Sequence, residues 1–279
     1  MRSVAGTDGV TLAVHELGGR GRPTLLCHAT GFHGAVWQPM AEALGDGFER
    51  WALDFRGHGA SRVPPGHPLA WADMASDVLA VVDDLAIEPG GFLGVGHSMG
   101  GAALLLAEQA RPGTFAALWL FEPIVPPAGA LAPSEAGHDL ADRALKRRPS
   151  FASFEEALVN FASKPPLHVA RADALLAYVR HGFVEGEDGR VHLACRPEDE
   201  ARLYRRGGGH GAFERLAQVT CPTLVVCGGE PGGPSAFAGP VAEALPHGRL
   251  EARAHLGHFG PLEAPAELAA SVRALAESL

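Results

Sequence analysis

Short apolar runs alternate along the chain with longer segments whose apolar residues recur every three or four positions. The runs fall at 11–16, 24–27, 50–53, 92–96, 116–121, 223–227 and 249–252, and the amphipathic segments at 36–44, 71–85, 99–110, 237–245 and 265–279. The runs have strand length, and the spacing in the segments is that of a helix face. Their alternation predicts an α/β fold: a mostly parallel, doubly wound sheet with helices on both faces. The first run, Thr11-Leu12-Ala13-Val14-His15-Glu16, mixes apolar and polar positions and suits an antiparallel edge strand.

The rhythm breaks between about Pro123 and Arg215. Pro-rich Ile124-Val125-Pro126-Pro127 opens this stretch, and Phe154, Leu158 and Phe161, then Leu175, Leu176, Tyr178 and Val179, follow at helical spacing. The pattern predicts a core domain of residues 1–122 and 216–279, interrupted by a helical cap of residues 123–215.

Composition narrows the function. A chain of 279 residues, 47% hydrophobic, can bury the core of one α/β domain with an insertion. The net charge is −9 and no basic stripe occurs, which argues against a nucleic-acid partner. No apolar run is long enough to span a bilayer, and Met1-Arg2-Ser3-Val4-Ala5-Gly6-Thr7-Asp8 lacks the apolar stretch of a signal peptide. A cytoplasmic protein with no membrane partner and no disulfides is therefore expected. Cys27, Cys195, Cys221 and Cys227 show no metal-ligand spacing, so no metal and no cofactor are expected, and Cys27 and Cys227 read as core positions. The expected partner is a small-molecule substrate, and a homodimer is compatible with the sequence.

The strongest motif is Gly96-His97-Ser98-Met99-Gly100-Gly101. It follows the apolar strand Phe92-Leu93-Gly94-Val95 and precedes the helix-forming Ala102-Ala103-Leu104-Leu105-Leu106. In a G-x-S-x-G turn between strand and helix the serine is forced into a strained conformation with its hydroxyl presented, and the glycines remove side chains that would collide. The helix N-terminus then points free N–H groups and its dipole at a developing oxyanion. The plainer alternative is an N-capping serine in a Gly-rich turn.

With this motif the chain resembles the α/β-hydrolase superfamily, in particular its esterase- and lipase-like serine hydrolases with a helical cap. Further matches, in the family's order, are His28-Ala29-Thr30-Gly31-Phe32, Asp54-Phe55-Arg56-Gly57-His58-Gly59-Ala60-Ser61 and Leu256-Gly257-His258-Phe259; Ala29 stands where the family's oxyanion loop usually has glycine. The resemblance implies Ser98 as nucleophile. It implies an oxyanion hole from the backbone N–H groups of Met99 and of the 28–32 loop, with Thr30 preferred over Gly31 or Phe32. His28, His58 and His97 read as structural.

The family's order is serine, acid, histidine. Among 14 histidines, His258 is favoured as general base, after the last strand and before the final helix; His255 is second, and His210 and His181 lie in the cap region. The usual acid position reads Cys227-Gly228-Gly229-Glu230, without Asp, whereas the apolar strand 116–121 ends directly in Glu122. A charge capping an apolar strand is costly unless paired. Glu122 is therefore the expected acid and Glu230 the alternative. Phe32, Trp37, Ile124, Phe154, Phe161, Phe183 and Phe259 are candidate substrate contacts, while the basic residues of the insertion read as a solvated face.

The implied activity is hydrolysis of a small-molecule carboxylic ester, lactone or thioester through an acyl-enzyme. Alternatives are a C–C bond hydrolase of diketone-type substrates, a cofactor-free haloperoxidase or perhydrolase, and a ligand-binding protein without catalysis. Relatives with an aspartate nucleophile are excluded by Ser98.

Overall fold

The computed structural model describes residues 1–127, 136–207, 209–230 and 232–279. The chain runs through β1 (Arg2–Ala5), β2 (Thr11–Glu16), β3 (Gly21–Cys27), α1 (Gln38–Leu44), β4 (Gly47–Asp54), α2 (Trp71–Leu85), β5 (Phe92–His97), α3 (Met99–Ala110) and β6 (Phe115–Phe121). There follow α4 (Ala136–Leu145), β7 (Ser150–Phe151), α5 (Phe154–Ala162), α6 (Ala172–His181), β8 (Phe183–Glu185), β9 (Val191–Leu193) and α7 (Pro197–Arg206). The last part holds β10 (Thr223–Gly228), α8 (Ser235–Ala244), β11 (Gly248–Arg253), α9 (Gly260–Glu263) and α10 (Pro265–Glu277).

The main sheet has eight strands in the order β1-β2-β4-β3-β5-β6-β10-β11. From β4 through β11 neighbours are parallel; β2 is antiparallel to both β1 and β4. The expected doubly wound α/β sheet is therefore present. The sheet edge is corrected: β2 lies one strand in, and β1 is the edge. In β1 only Val4 turns into the core, so it offers no apolar run to read.

Side chains alternate across the central strands as a period of two requires. Leu118 and Leu120 of β6 join one core with α2, α3 and α8, while Ala117, Trp119 and Phe121 join another with α1 and α10. That second core continues without a break into the 123–215 stretch through Phe151, Leu175, Tyr178 and Phe183. The stretch is not wholly helical: β7, β9 and β8 form a separate three-stranded antiparallel sheet. Strands of two or three residues carry no period, which is why the sequence pattern hid them.

In an open parallel sheet the crevice beyond the carboxyl ends of the strands is where ligands bind. His28, Ser98, Glu122 and Gly229 each stand one residue beyond the end of β3, β5, β6 and β10.

Candidate active site

Ser98 joins β5 to α3 with φ 56° and ψ −115°, a conformation that costs a non-glycine residue about 1–3 kcal/mol. Three backbone bonds hold it there: its N–H donates to Phe121 O at 3.0 Å, and its carbonyl accepts from Ile124 N–H at 3.3 Å and from Ala102 N–H at 3.2 Å. The flanking glycines are demanded by space. A Cβ at Gly100 would lie 2.2 Å from the carbonyl oxygen of Cys27, and one at Gly96 would lie 2.7 Å from Gly101 Cα.

On the adjacent strand, Glu122 is also left-handed, with φ 44°. His97 pairs with Phe121, and Phe121 with Val226, so Ser98 and Glu122 emerge side by side at the strand ends. The Glu122 side chain is only 1% exposed, and both of its oxygens have partners. Oε1 accepts from Gly228 N–H at 2.8 Å, and Oε2 lies 2.6 Å from His258 Nδ1. The carboxylate thus places the ring proton on Nδ1 and leaves Nε2 as the free acceptor. His97 secures the histidine from behind, donating from Nε2 to His258 O at 2.8 Å. Among the described residues, Ser98 Oγ has no hydrogen-bond partner.

The 28–32 loop separates the three oxyanion candidates. Gly31 N–H donates to His58 Nε2 at 3.1 Å, and Phe32 N–H to Ala29 O at 3.2 Å. Thr30 N–H and Met99 N–H have no acceptor among the described residues. His28 and His58 bracket the loop. His28 Nε2 accepts from Phe55 N–H at 3.1 Å and Nδ1 donates to Ala29 O at 2.7 Å, while His58 Nδ1 donates to Arg56 O at 3.1 Å. Burial lowers the pKa of His58 to about 4, and it lowers those of His28 and His97 well below the usual histidine value. All three are neutral brackets with tautomers set by their partners.

The remaining candidates lie elsewhere. His255 is exposed and pairs with Glu267 at 2.9 Å. His210 donates to Ile124 O and stacks on Trp71, and His181 sits beside His15 and His33. Glu230 is exposed and its carboxylate makes no hydrogen bond among the described residues. Of the candidate substrate contacts, Phe32, Phe161, Phe183 and Phe259 form a run of touching rings with Tyr178. Phe32 meets Tyr178 at 5.3 Å and Phe259 at 5.8 Å, Phe161 meets Tyr178 at 5.3 Å and Phe183 at 6.0 Å, and Phe259 meets His258 at 5.4 Å. Trp37 is 2% exposed and packed in the core; Phe154 is half-buried at the start of α5, outside this run; Ile124 contributes its backbone to the serine turn.

Two contributors escaped the sequence reading, Gly228 N–H and an Arg147–Glu200 pair against Gly31, while His97, read as structural, braces His258. The missing Asp in the 227–230 turn was the only sequence signal near Gly228. Among the described residues no His, Cys, Asp or Glu cluster could hold a metal ion, and no helix is long and apolar enough to cross a membrane. The four cysteines are free thiols.

A sheet of this topology, with serine, carboxylate and histidine gathered at its carboxyl edge, defines a hydrolase architecture. The chain belongs to the alpha/beta hydrolase family, whose model matches residues 24–271. It is 33% identical over 103 residues to 3-oxoadipate enol-lactonase 1 of Acinetobacter baylyi, a match spanning 37% of either chain. Its fold is similar to that of an E-2-(acetamidomethylene)succinate hydrolase, with a TM-score of 0.82 at 24% identity over 99% of this chain and 98% of that one. It is also similar to a thermophilic esterase from Thermogutta terrifontis, with a TM-score of 0.74 at 22% identity over 99% and 98% of the two chains.

Proposed function

We propose that this hydrolase cleaves a small-molecule carboxylic ester or lactone through an acyl-enzyme on Ser98, with His258 as base and Glu122 as the orienting acid. The observation that carries the reading is the 2.6 Å contact between Glu122 Oε2 and His258 Nδ1, beside a strained serine. In the reaction Ser98 Oγ attacks the carbonyl carbon while its proton passes to His258 Nε2. The carbonyl oxygen, now anionic, is received by Thr30 N–H and Met99 N–H, where a single such donor contributes about 3 kcal/mol. Collapse expels the alkoxide, which takes the proton from His258; in a lactone it stays tethered to the acyl group. Water then attacks the acyl-enzyme by the same route and releases the acid. The described residues of 123–215 act as a cap, and its Tyr178, Phe161 and Phe183 continue the run of rings that Phe32 and Phe259 begin beside His258.

The names of similar proteins support the class of reaction, since they include an enol-lactonase and an esterase. A fluorophosphonate probe together with an ester series of graded acyl length tests the reading. Labelling of Ser98, lost in Ser98→Ala, with turnover of at least one ester, is the expected result. A folded protein that neither labels nor turns over any ester is a ligand binder instead.

A further inference from the structure

The triad leaves one polar feature of the cap unexplained. Arg148, Arg171 and Arg196 lie on a solvated face, with side chains 47%, 55% and 63% exposed. Arg147, in the turn after α4, is different: its side chain is 21% exposed. Its Nη1 donates to Glu200 Oε2, and its Nη2 donates to the Tyr178 hydroxyl at 2.6 Å. The guanidinium also stands over the Phe161 ring, 6.0 Å from its centre.

The pair is set against the oxyanion loop. A Cβ on Gly31, whose φ is 80°, would fall 2.7 Å from Glu200 Oε1 and 3.4 Å from Arg147 Nη1, so glycine there lets the pair lie against the loop as it does. Thr30, the proposed oxyanion donor, is the next residue. A buried ion pair is poor evidence of stabilisation, because well-packed apolar residues often do as well. What the pair does have is a place against the oxyanion loop, at Gly31, where a bound substrate can meet it.

The hydrogen-bond inventory gives that ligand's character. Arg147 has further N–H groups without partners among the described residues, and Tyr178 accepts from Arg147, which leaves its own O–H proton to donate. Glu200 Oε1 is the acceptor left over. Donors are in excess, and a guanidinium fork matches the two oxygens of a carboxylate.

We propose that Arg147 binds the substrate, and that the substrate carries a free carboxylate besides the scissile bond, received on the unused edge of the guanidinium with Tyr178 O–H as a further donor. Glu200 holds the guanidinium plane. This inference rests on the acyl-enzyme reading and names the substrate class for the same site.

The test compares matched esters by pH-stat. Monomethyl adipate against methyl hexanoate places the carboxylate on the acyl side, and 4-acetoxybenzoate against 4-methylphenyl acetate places it on the alcohol side. The wild type should favour the carboxylated member of at least one pair by about ten- to hundredfold in kcat/KM, mainly through KM. Arg147→Gln should bring that ratio to one or below, with Arg147→Lys in between. Because Arg147→Gln leaves a buried carboxylate unpaired, the double variant Arg147→Gln/Glu200→Gln is measured beside it, with thermal melts to confirm folding. Glu200→Gln alone should lower the preference, and by less than Arg147→Gln does. A wild type that favours the neutral member of both pairs, or a folded double variant that keeps the preference, overturns the inference. Fluorophosphonate labelling separates the two claims. A labelled enzyme without the preference sinks the Arg147 role alone, and an enzyme that neither labels nor hydrolyses any of the four esters sinks both.

Discussion

Replacing Glu122 by Gln keeps the shape of the acid and removes its charge, and the structure fixes what the amide must then do. Its two ends face Gly228 N–H and His258 Nδ1. If the amide oxygen turns to His258, its NH2 confronts Gly228 N–H, donor against donor in a site 1% exposed. A buried donor without a partner costs about 1–3 kcal/mol, enough to disfavour that orientation roughly five- to hundredfold. The oxygen therefore stays on Gly228 N–H and the NH2 donates to His258 Nδ1. That moves the ring proton to Nε2, where it blocks the acceptance of the serine proton. In other serine triads the same wrong tautomer costs about ten-thousand-fold in rate. The assay is the second-order rate of fluorophosphonate labelling, with 4-nitrophenyl acetate hydrolysis in parallel, at a pH where the native rate is constant. Glu230→Gln is the control, and with an exposed carboxylate it should stay within a few fold. A Glu122→Gln enzyme within tenfold of wild type, or a Glu230→Gln enzyme that is the more impaired, refutes the assignment.

Ser98→Ala should abolish labelling and turnover while leaving the melting temperature unchanged within a few degrees; residual turnover above about one per cent would point to another nucleophile. His258→Ala should be as damaging as Ser98→Ala, because base and nucleophile act as a unit, whereas His255→Ala should lose only a surface hydrogen bond to Glu267; the reverse order of activities would exchange the two histidines. Gly100→Ala should destabilise by about 3 kcal/mol or more in urea unfolding, since its Cβ meets a backbone carbonyl at 2.2 Å, and a midpoint close to wild type would show that the turn can give way. Stability should also fall with pH from about 6.5 downward. Burial lowers His33 and His58 to about 4, and His28 and His97 fall well below the usual value, so between about 6.5 and 4 the unfolded chain binds protons that the folded chain refuses. His33 and His58 alone would give a slope of about 3 kcal/mol per pH unit, read as urea midpoints at pH 7.5, 6 and 5; a flat profile would mean that these rings titrate normally in the fold.

How far the sequence could be read depended on the range of the forces involved. Segments 71–85 and 99–110 coincide with α2 and α3 because each helix face is written into its own residues. The carboxylate at the end of β6 was legible because the strand before it is wholly apolar. The small sheet of β7, β8 and β9 was not, because its pairing is made between segments rather than within them. The same reason kept the oxyanion candidates apart only by preference. Gly31 is distinguished from Thr30 by His58, 27 residues away in sequence. Arg147 looked like the other basic residues of its segment, and its burial is created by Tyr178 and Glu200, 31 and 53 residues further on.

With the proposed Glu122 as the acid, nucleophile and acid both stand at the ends of the neighbouring central strands β5 and β6, and β10 contributes the backbone N–H of its last residue, Gly228. Only proline at position 228 would delete the N–H that Glu122 receives. The turn that follows then holds its neighbour rather than the substrate, Gly229 N–H donating to Leu256 O at 2.9 Å. Its described residues beyond Gly229 supply no side chain to the proposed triad, which makes that stretch the first place on this hydrolase to try attaching a tag, a partner or a regulatory element.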